Sequence, residues 1–218
     1  MAKHSSYFPL FLLLPCLVYY IVFWIFPIGF LSTISFFEWS GFSPISEARF
    51  VGLDNISKIL LDDTFWQALR NNALFWVFQG LEIILALSVA QALISIPRFR
   101  TTLAVIVFIP SLMSLPSLTL IWAYLFHPTA GLINDLLMRV SLPPQAWLYS
   151  TSTSMLSIIL VSIWQWFGYT ATTFLAGIQS LPQEYYDAAL VDGANALDRF
   201  RHITLPLLKP ILSFVIVS

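Results

Sequence analysis

The chain has 218 residues, 58% of them hydrophobic and 16% aromatic, with only 10% charged; ten basic against eleven acidic side chains leave a net charge of −1. A mean hydropathy of +0.82 excludes an ordinary soluble domain and points to an all-α polytopic membrane protein, a bundle of transmembrane helices. Balanced charge with no basic tail excludes nucleic acid as a partner, and the single cysteine, Cys16, excludes an internal disulfide or a thiolate zinc site.

Residues 5–37 carry no Asp, Glu, Lys or Arg over 33 positions. A cleavable signal has an apolar core of only about 7–15 residues, so a retained first span is expected over residues 8–37. Cys16, inside this run, is expected to be a buried structural thiol. Lys3 and His4 ahead of it predict a cytoplasmic N-terminus. Residues 38–70 hold five acids and three bases and read as an external loop.

The second span is expected over residues 71–96. Glu82 is its only charged residue, with Gln79 and Gln91 along the same stretch. An ionisable group at the bilayer centre costs roughly 2.5–3.5 kcal/mol on insertion scales, so it faces protein or water. Glu82 is therefore either a substrate contact or relay, or a hydrogen-bonded contact between helices; the second reading is favoured because no cation sits at similar depth. Pro97-Arg98-Phe99-Arg100 is a tight basic turn of the cytoplasmic kind.

The third span, residues 101–126, contains Pro110 and Pro116. Two prolines six residues apart should kink or break the helix mid-membrane, and broken helices in a bilayer face protein or a wet cavity. This span is thus a candidate pathway wall. Residues 127–152 form a second external connection, in which His127 reads as interfacial rather than metal-binding, and Trp147 and Tyr149 as an aromatic belt. The fourth span, residues 155–178, holds Trp164, Gln165, Trp166 and Tyr169. Aromatic faces stack on sugar rings and an amide bonds a hydroxyl, which makes Trp122, Tyr124, Trp164, Gln165, Tyr169 and Glu82 the candidate pathway residues. Packing and interface anchoring are the plainer roles for any one aromatic.

A polar island follows at residues 181–210, with four acids (Glu184, Asp187, Asp192, Asp198), Arg199, Arg201, Lys209 and His202. Local signals predict two short helices. Pro182 is expected in the first turn, Gly193 at a break needing φ > 0, and Pro206 as a stop. Beyond it, residues 206–218 are thirteen in number, about 20 Å of helix against a hydrocarbon core of roughly 30 Å. They predict only the start of a fifth span.

Asp187-Ala188-Ala189, three residues, Gly193, nine residues, then Ile203-Thr204-Leu205-Pro206 resembles the EAA loop of bacterial binding-protein-dependent ABC importer permeases. The spacing agrees throughout, and the one departure is Asp187 in place of Glu. Phe50-Val51-Gly52-Leu53-Asp54-Asn55 and Gly131-Leu132-Ile133-Asn134 are similar to external loops of the carbohydrate and glycerol-phosphate permeases. The resemblance implies a transport subunit rather than an enzyme, in the bacterial cytoplasmic (inner) membrane. It implies a solute, a sugar or related carbohydrate, delivered by an extracytoplasmic solute-binding protein. It implies a second permease subunit, identical or not, and a cytoplasmic ABC ATPase dimer. It also implies that residues 181–205 form a cytoplasmic coupling loop, with Glu184, Tyr185, Asp187, Ala188, Ala189, Leu190 and Gly193 at the ATPase, and that the end of a fifth span and a sixth are missing here.

No GxxxxGK[ST] phosphate loop occurs, so no cofactor is expected on this chain, and ATP and Mg would be bound by the ATPase partner. No metal site is expected. The loop's first helix holds acids and no base, unlike helices that lie on anionic membranes. Six basic residues fall on the segments assigned to the cytoplasm and four outside, the sense of the positive-inside rule. The alternative function, an ion-coupled secondary transporter or channel, would need ion-coupling groups within the bilayer, and Glu82 is the only candidate. A membrane-embedded enzyme would need paired acids or a His cluster there, which the sequence lacks.

Overall fold

The computed structural model describes residues 8–217; Lys3 and His4 lie outside the described residues. The chain forms two compact units, Met1–Arg70 and Asn71–Ser218.

In the first unit, α1 (Phe8–Tyr20) and α2 (Phe26–Ile34) are joined by a wide turn, Ile21–Ile25, in which the Phe26 N–H reaches back five residues to the Ile21 carbonyl. Pro27 explains the widening: it has no N–H for the usual bond, and its ring crowds the carbonyl four residues earlier. Cys16 is exposed, which corrects its expected burial. The stretch Phe11–Ile34 buries none of its length within the protein, so its apolar surface is left for lipid or another chain. Two short strands, β1 (Phe37–Glu38) and β2 (Arg49–Phe50), pair antiparallel, a ribbon that the expected loop did not include. The Phe37 and Phe50 rings meet edge-on at 5.3 Å. The Asn55 amide, at the start of α3 (Asp54–Leu60), donates to the Ser35 and Phe37 carbonyls, both at 3.0 Å.

The second unit is built on α4 (Asp63–Ile94), which continues from the first, and α8 (Ser154–Gln179). On α4 the buried positions are Glu82, Ala86, Ala90 and Leu93, one helical face. Its alanines let that face pack closely with Ala171, Phe174, Leu175 and Ile178 of α8 and with Leu208. Between these helices run α5 (Arg100–Phe108), a tight turn Ile109–Leu112, and α6 (Leu115–Leu125), bent from the preceding stretch by 96°. Pro110 and Pro116 each occupy a first turn, where the missing N–H leaves no bond unmade. Ser114 caps α6 by accepting from the Ser117 N–H. The prolines thus start two helices rather than kink one.

Among the described residues, three stretches, Phe11–Ile34, Asp63–Ile94 and Ser154–Gln179, are long and apolar enough to cross a membrane, or up to five if each bent pair is one span. The shortest of them has 24 residues, about 36 Å of helix against roughly 30 Å of hydrocarbon.

Between α6 and α8, α7 (Leu132–Arg139) carries Asn134, which is 1% exposed. The Asn134 amide donates to the Pro128 and Gln145 carbonyls at 2.9 Å, and its oxygen accepts from the Gln145 N–H at 3.0 Å and Trp147 Nε1 at 2.8 Å. Trp147 holds φ at +35°, a strained conformation that persists only where surroundings over-determine it. Here the Asn134 bond and stacking on Phe126 at 4.9 Å do so. Trp147 is therefore a half-buried keystone, while Tyr149 is exposed. Asn134→Ala should cost about 1–3 kcal/mol, since each buried group left unpaired is penalised; a thermal midpoint equal to the parent's would contradict this.

Candidate functional site

The polar island forms α9 (Gln183–Val191), α10 (Ala196–Arg199), a wide turn Phe200–Thr204, and α11 (Leu205–Leu207), followed across a 64° bend by α12 (Lys209–Val217). Pro182 is the cap residue just before α9 and not in its first turn. At the far end of α9 the Ala194 N–H bonds to the Ala189 carbonyl at 2.8 Å and the Gly193 N–H to Leu190 at 3.1 Å. These are the two bonds of a Schellman closure, with Gly193 at φ +78°. Asn195 then opens α10 with a capping box: its side chain accepts from the Leu197 and Asp198 N–H groups, and the Asp198 carboxylate accepts from the Asn195 N–H. Pro206 does not stop the second helix. It is met by a widened turn, the Leu205 N–H reaching Phe200, and the chain bends only at Leu208, ahead of Pro210.

The outer surface of α9 presents Glu184, Tyr185, Asp187, Ala188 and Leu190, all exposed; Ala189 is half-buried. Gln183 donates to Asp187 at 3.2 Å. Tyr186, beside Tyr185, is half-buried and faces inward. Its hydroxyl lies 2.9 Å from Oγ1 of Thr204, which is 1% exposed.

Away from this loop, a cavity of about 350 Å³ lies between α4, α6 and α8. Trp122 and Gln165 line it, together with Trp166, Thr119, Ser162 and Phe75. Trp122 Nε1 is buried with no hydrogen-bond partner. Trp164 packs edge-on against Trp122 at 5.3 Å without reaching the cavity. Tyr169 is outside as well, edge-on to Trp166 at 6.3 Å, and Tyr124 is 68% exposed. Glu82, 3% exposed, has its Oε1 buried without a hydrogen-bond partner and does not line the cavity. Thr119, Ser162 and Phe75 escaped sequence reasoning. Thr119 sits three residues before Trp122, and Ser162 three before Gln165, so helical spacing from those two residues would have found them.

Residues 82–218 match the family described as binding-protein-dependent transport system inner membrane component. The chain is 39% identical over its whole length to the probable ABC transporter permease protein YurN of Bacillus subtilis (strain 168), covering 75% of that protein. It is 34% identical to the trehalose/maltose transport system permease protein MalF of Thermococcus litoralis, over 94% of this chain and 70% of that one. A crystal structure of a bacterial ABC transporter involved in the import of the acidic polysaccharide alginate superposes with a TM-score of 0.76 at 21% identity, over 97% of this chain and 71% of that one. The chain belongs to the binding-protein-dependent ABC transporter permeases: it is a multi-pass inner-membrane transport subunit and not an enzyme, with ATP hydrolysis on a separate subunit.

Proposed function

We propose that this permease passes a neutral saccharide, delivered by an extracytoplasmic binding protein, through the cavity between α4, α6 and α8. The orphaned Trp122 Nε1 carries this reading: a buried donor without a partner calls for a ligand oxygen. Trp122 and Trp166 offer flat apolar faces, and Gln165, Thr119 and Ser162 offer hydroxyl partners, the mixture of apolar wall and a few placed polar groups common to small-molecule sites. No charged residue is among those lining the cavity, which favours a neutral sugar over a glycerol phosphate. The names of relatives point the same way, among them an arabinooligosaccharides permease of Bacillus subtilis and the trehalose/maltose permease.

The exposed face of α9 docks on one subunit of a cytoplasmic ABC ATPase dimer, which binds the ATP and Mg; a second permease subunit completes the pathway. This reading places the N-terminus and the α9 loop in the cytoplasm. Docking needs no basic anchor in α9, since Tyr185 and Leu190 supply exposed apolar area and Asp187 and Glu184 supply charge.

The test is uptake of labelled saccharides by the assembled complex. Trp122→Phe keeps an aromatic face but removes the N–H together with the second ring of the indole, and should raise the half-saturating concentration about tenfold, the worth of one hydrogen bond to a neutral group. Tyr124→Phe should change nothing. Equal kinetics for Trp122→Phe and the parent would remove the cavity from the pathway.

A further inference from the structure

A second cavity, of about 420 Å³, lies behind the α9–α10 loop, between that loop and the adjoining ends of α4, α5 and α8. Arg100 and Arg199 both line it, one from the start of α5 and the other from α10. Both are half-buried, and among the described residues neither forms an ion pair. Arg100 Nε is buried without a hydrogen-bond partner, and so is Oε1 of Gln91, another lining residue. Asp198, next to Arg199, is engaged in the α10 capping box, and Asp187 accepts from Gln183. No acid lines the cavity. Two guanidinium groups with an orphaned buried donor, in a space many times the size of a water, form a site for an anion with several oxygens.

We propose that this cavity holds a phosphate, that of an anionic phospholipid headgroup, bridging Arg100 on the membrane helices to Arg199 on the loop. Guanidinium forks match phosphate geometry, and basic pockets between membrane helices on the cytoplasmic side take phosphate headgroups. Gln91, Ile94 and Ile178 on the walls belong to the last turns of α4 and α8, the depth at which headgroups lie. Ile178 and Phe200 give the rest of the headgroup an apolar wall. A bound phosphate would tie the loop to α5, so the lipid would set how stiffly the loop is carried. The choice of leaflet rests on the cytoplasmic placement of the loop proposed above; the binding itself does not.

The experiment is a thermal-unfolding titration of the purified complex containing this chain, in neutral detergent, so that no transport or ATPase readout enters. The probes are short-chain phosphatidylglycerol, short-chain phosphatidylcholine and inorganic phosphate. The expected result is a saturable rise in the unfolding midpoint with phosphatidylglycerol and little with phosphatidylcholine. Arg100→Gln and Arg199→Gln should each weaken the apparent affinity about tenfold or more, the loss of one charge-assisted contact. Arg100→Lys should fall between, and Arg98→Gln, outside the cavity, should match the parent. If Arg100→Gln does not fold, Arg199→Gln and Arg100→Lys decide. An arginine-dependent rise with inorganic phosphate as well would support the phosphate seat and assign it a soluble source. An equal response to phosphatidylcholine, an equal loss in Arg98→Gln, or no loss in either cavity variant would overturn the proposal. Failure there leaves the uptake results for Trp122 untouched, and failure of the uptake test leaves this titration untouched.

Discussion

Gly168→Val is expected to eliminate folded complex, whereas Gly80→Ala should leave its yield at the parent level. A Cβ on Gly168 would fall onto the Val107 carbonyl and within 2.9 Å of the Phe108 Cα. Those are backbone atoms of α5, which cannot rotate aside as a side chain does. Separating α8 from α5 would loosen α8 itself, which packs Ala171 and Phe174 in the core. Inserting one extra methylene into such a contact typically costs about 1–3 kcal/mol, and valine adds three carbons. At Gly80 nothing lies within 4 Å of the added carbon, so the same chemistry meets open space. Gel-filtration yield and unfolding midpoint of the two variants decide the matter; equal values would refute the close contact.

Gly193→Val should leave the folded yield near normal and cut uptake more than tenfold while ATP hydrolysis continues. Gly193→Asn should keep most of the uptake. No atom lies within 4 Å of an added Cβ here, so crowding is not the cause. The cause is φ +78°, which costs an L-residue about 1–2 kcal/mol, more for a β-branched one and less for asparagine. Without that conformation the Schellman closure fails, and α10 no longer starts where its capping box requires. The loop is exposed at this point, so the helices behind it are spared. The readouts are solute taken up and phosphate released by reconstituted complex; normal uptake in the valine variant would refute the turn's role.

The spacing from Asp187 to Pro206 was legible because it encodes local structure. Glycine at a left-handed cap acts within a few residues, and a sequence shows it directly; the Asn195 cap acts as locally, but no expectation was attached to it. The break between α5 and α6 was legible for the same reason, in Pro110 and Pro116. Cys16, Tyr186 and Phe75 were not. In a segment apolar on every face, periodicity does not tell a lipid-facing side from a buried one, so Cys16 was placed inside; the inward turn of Tyr186 depends on Thr204, eighteen residues on. Phe75 reaches the cavity through the packing of three helices that no spacing within one of them reveals. Pro206 misled because a helix meets a proline either by ending or by widening, and here the chain widens twice, before Pro27 and before Pro206.

The bond between Tyr186 and Thr204 gives the α9 loop a second attachment besides the peptide chain. A displacement imposed on α9 travels up into α8 along the backbone and, at the same moment, sideways into the foot of the helix that follows. The loop is therefore a yoke harnessed to two membrane helices rather than a strap hung between them. On the docking proposed above, a stroke delivered at one point would turn both together.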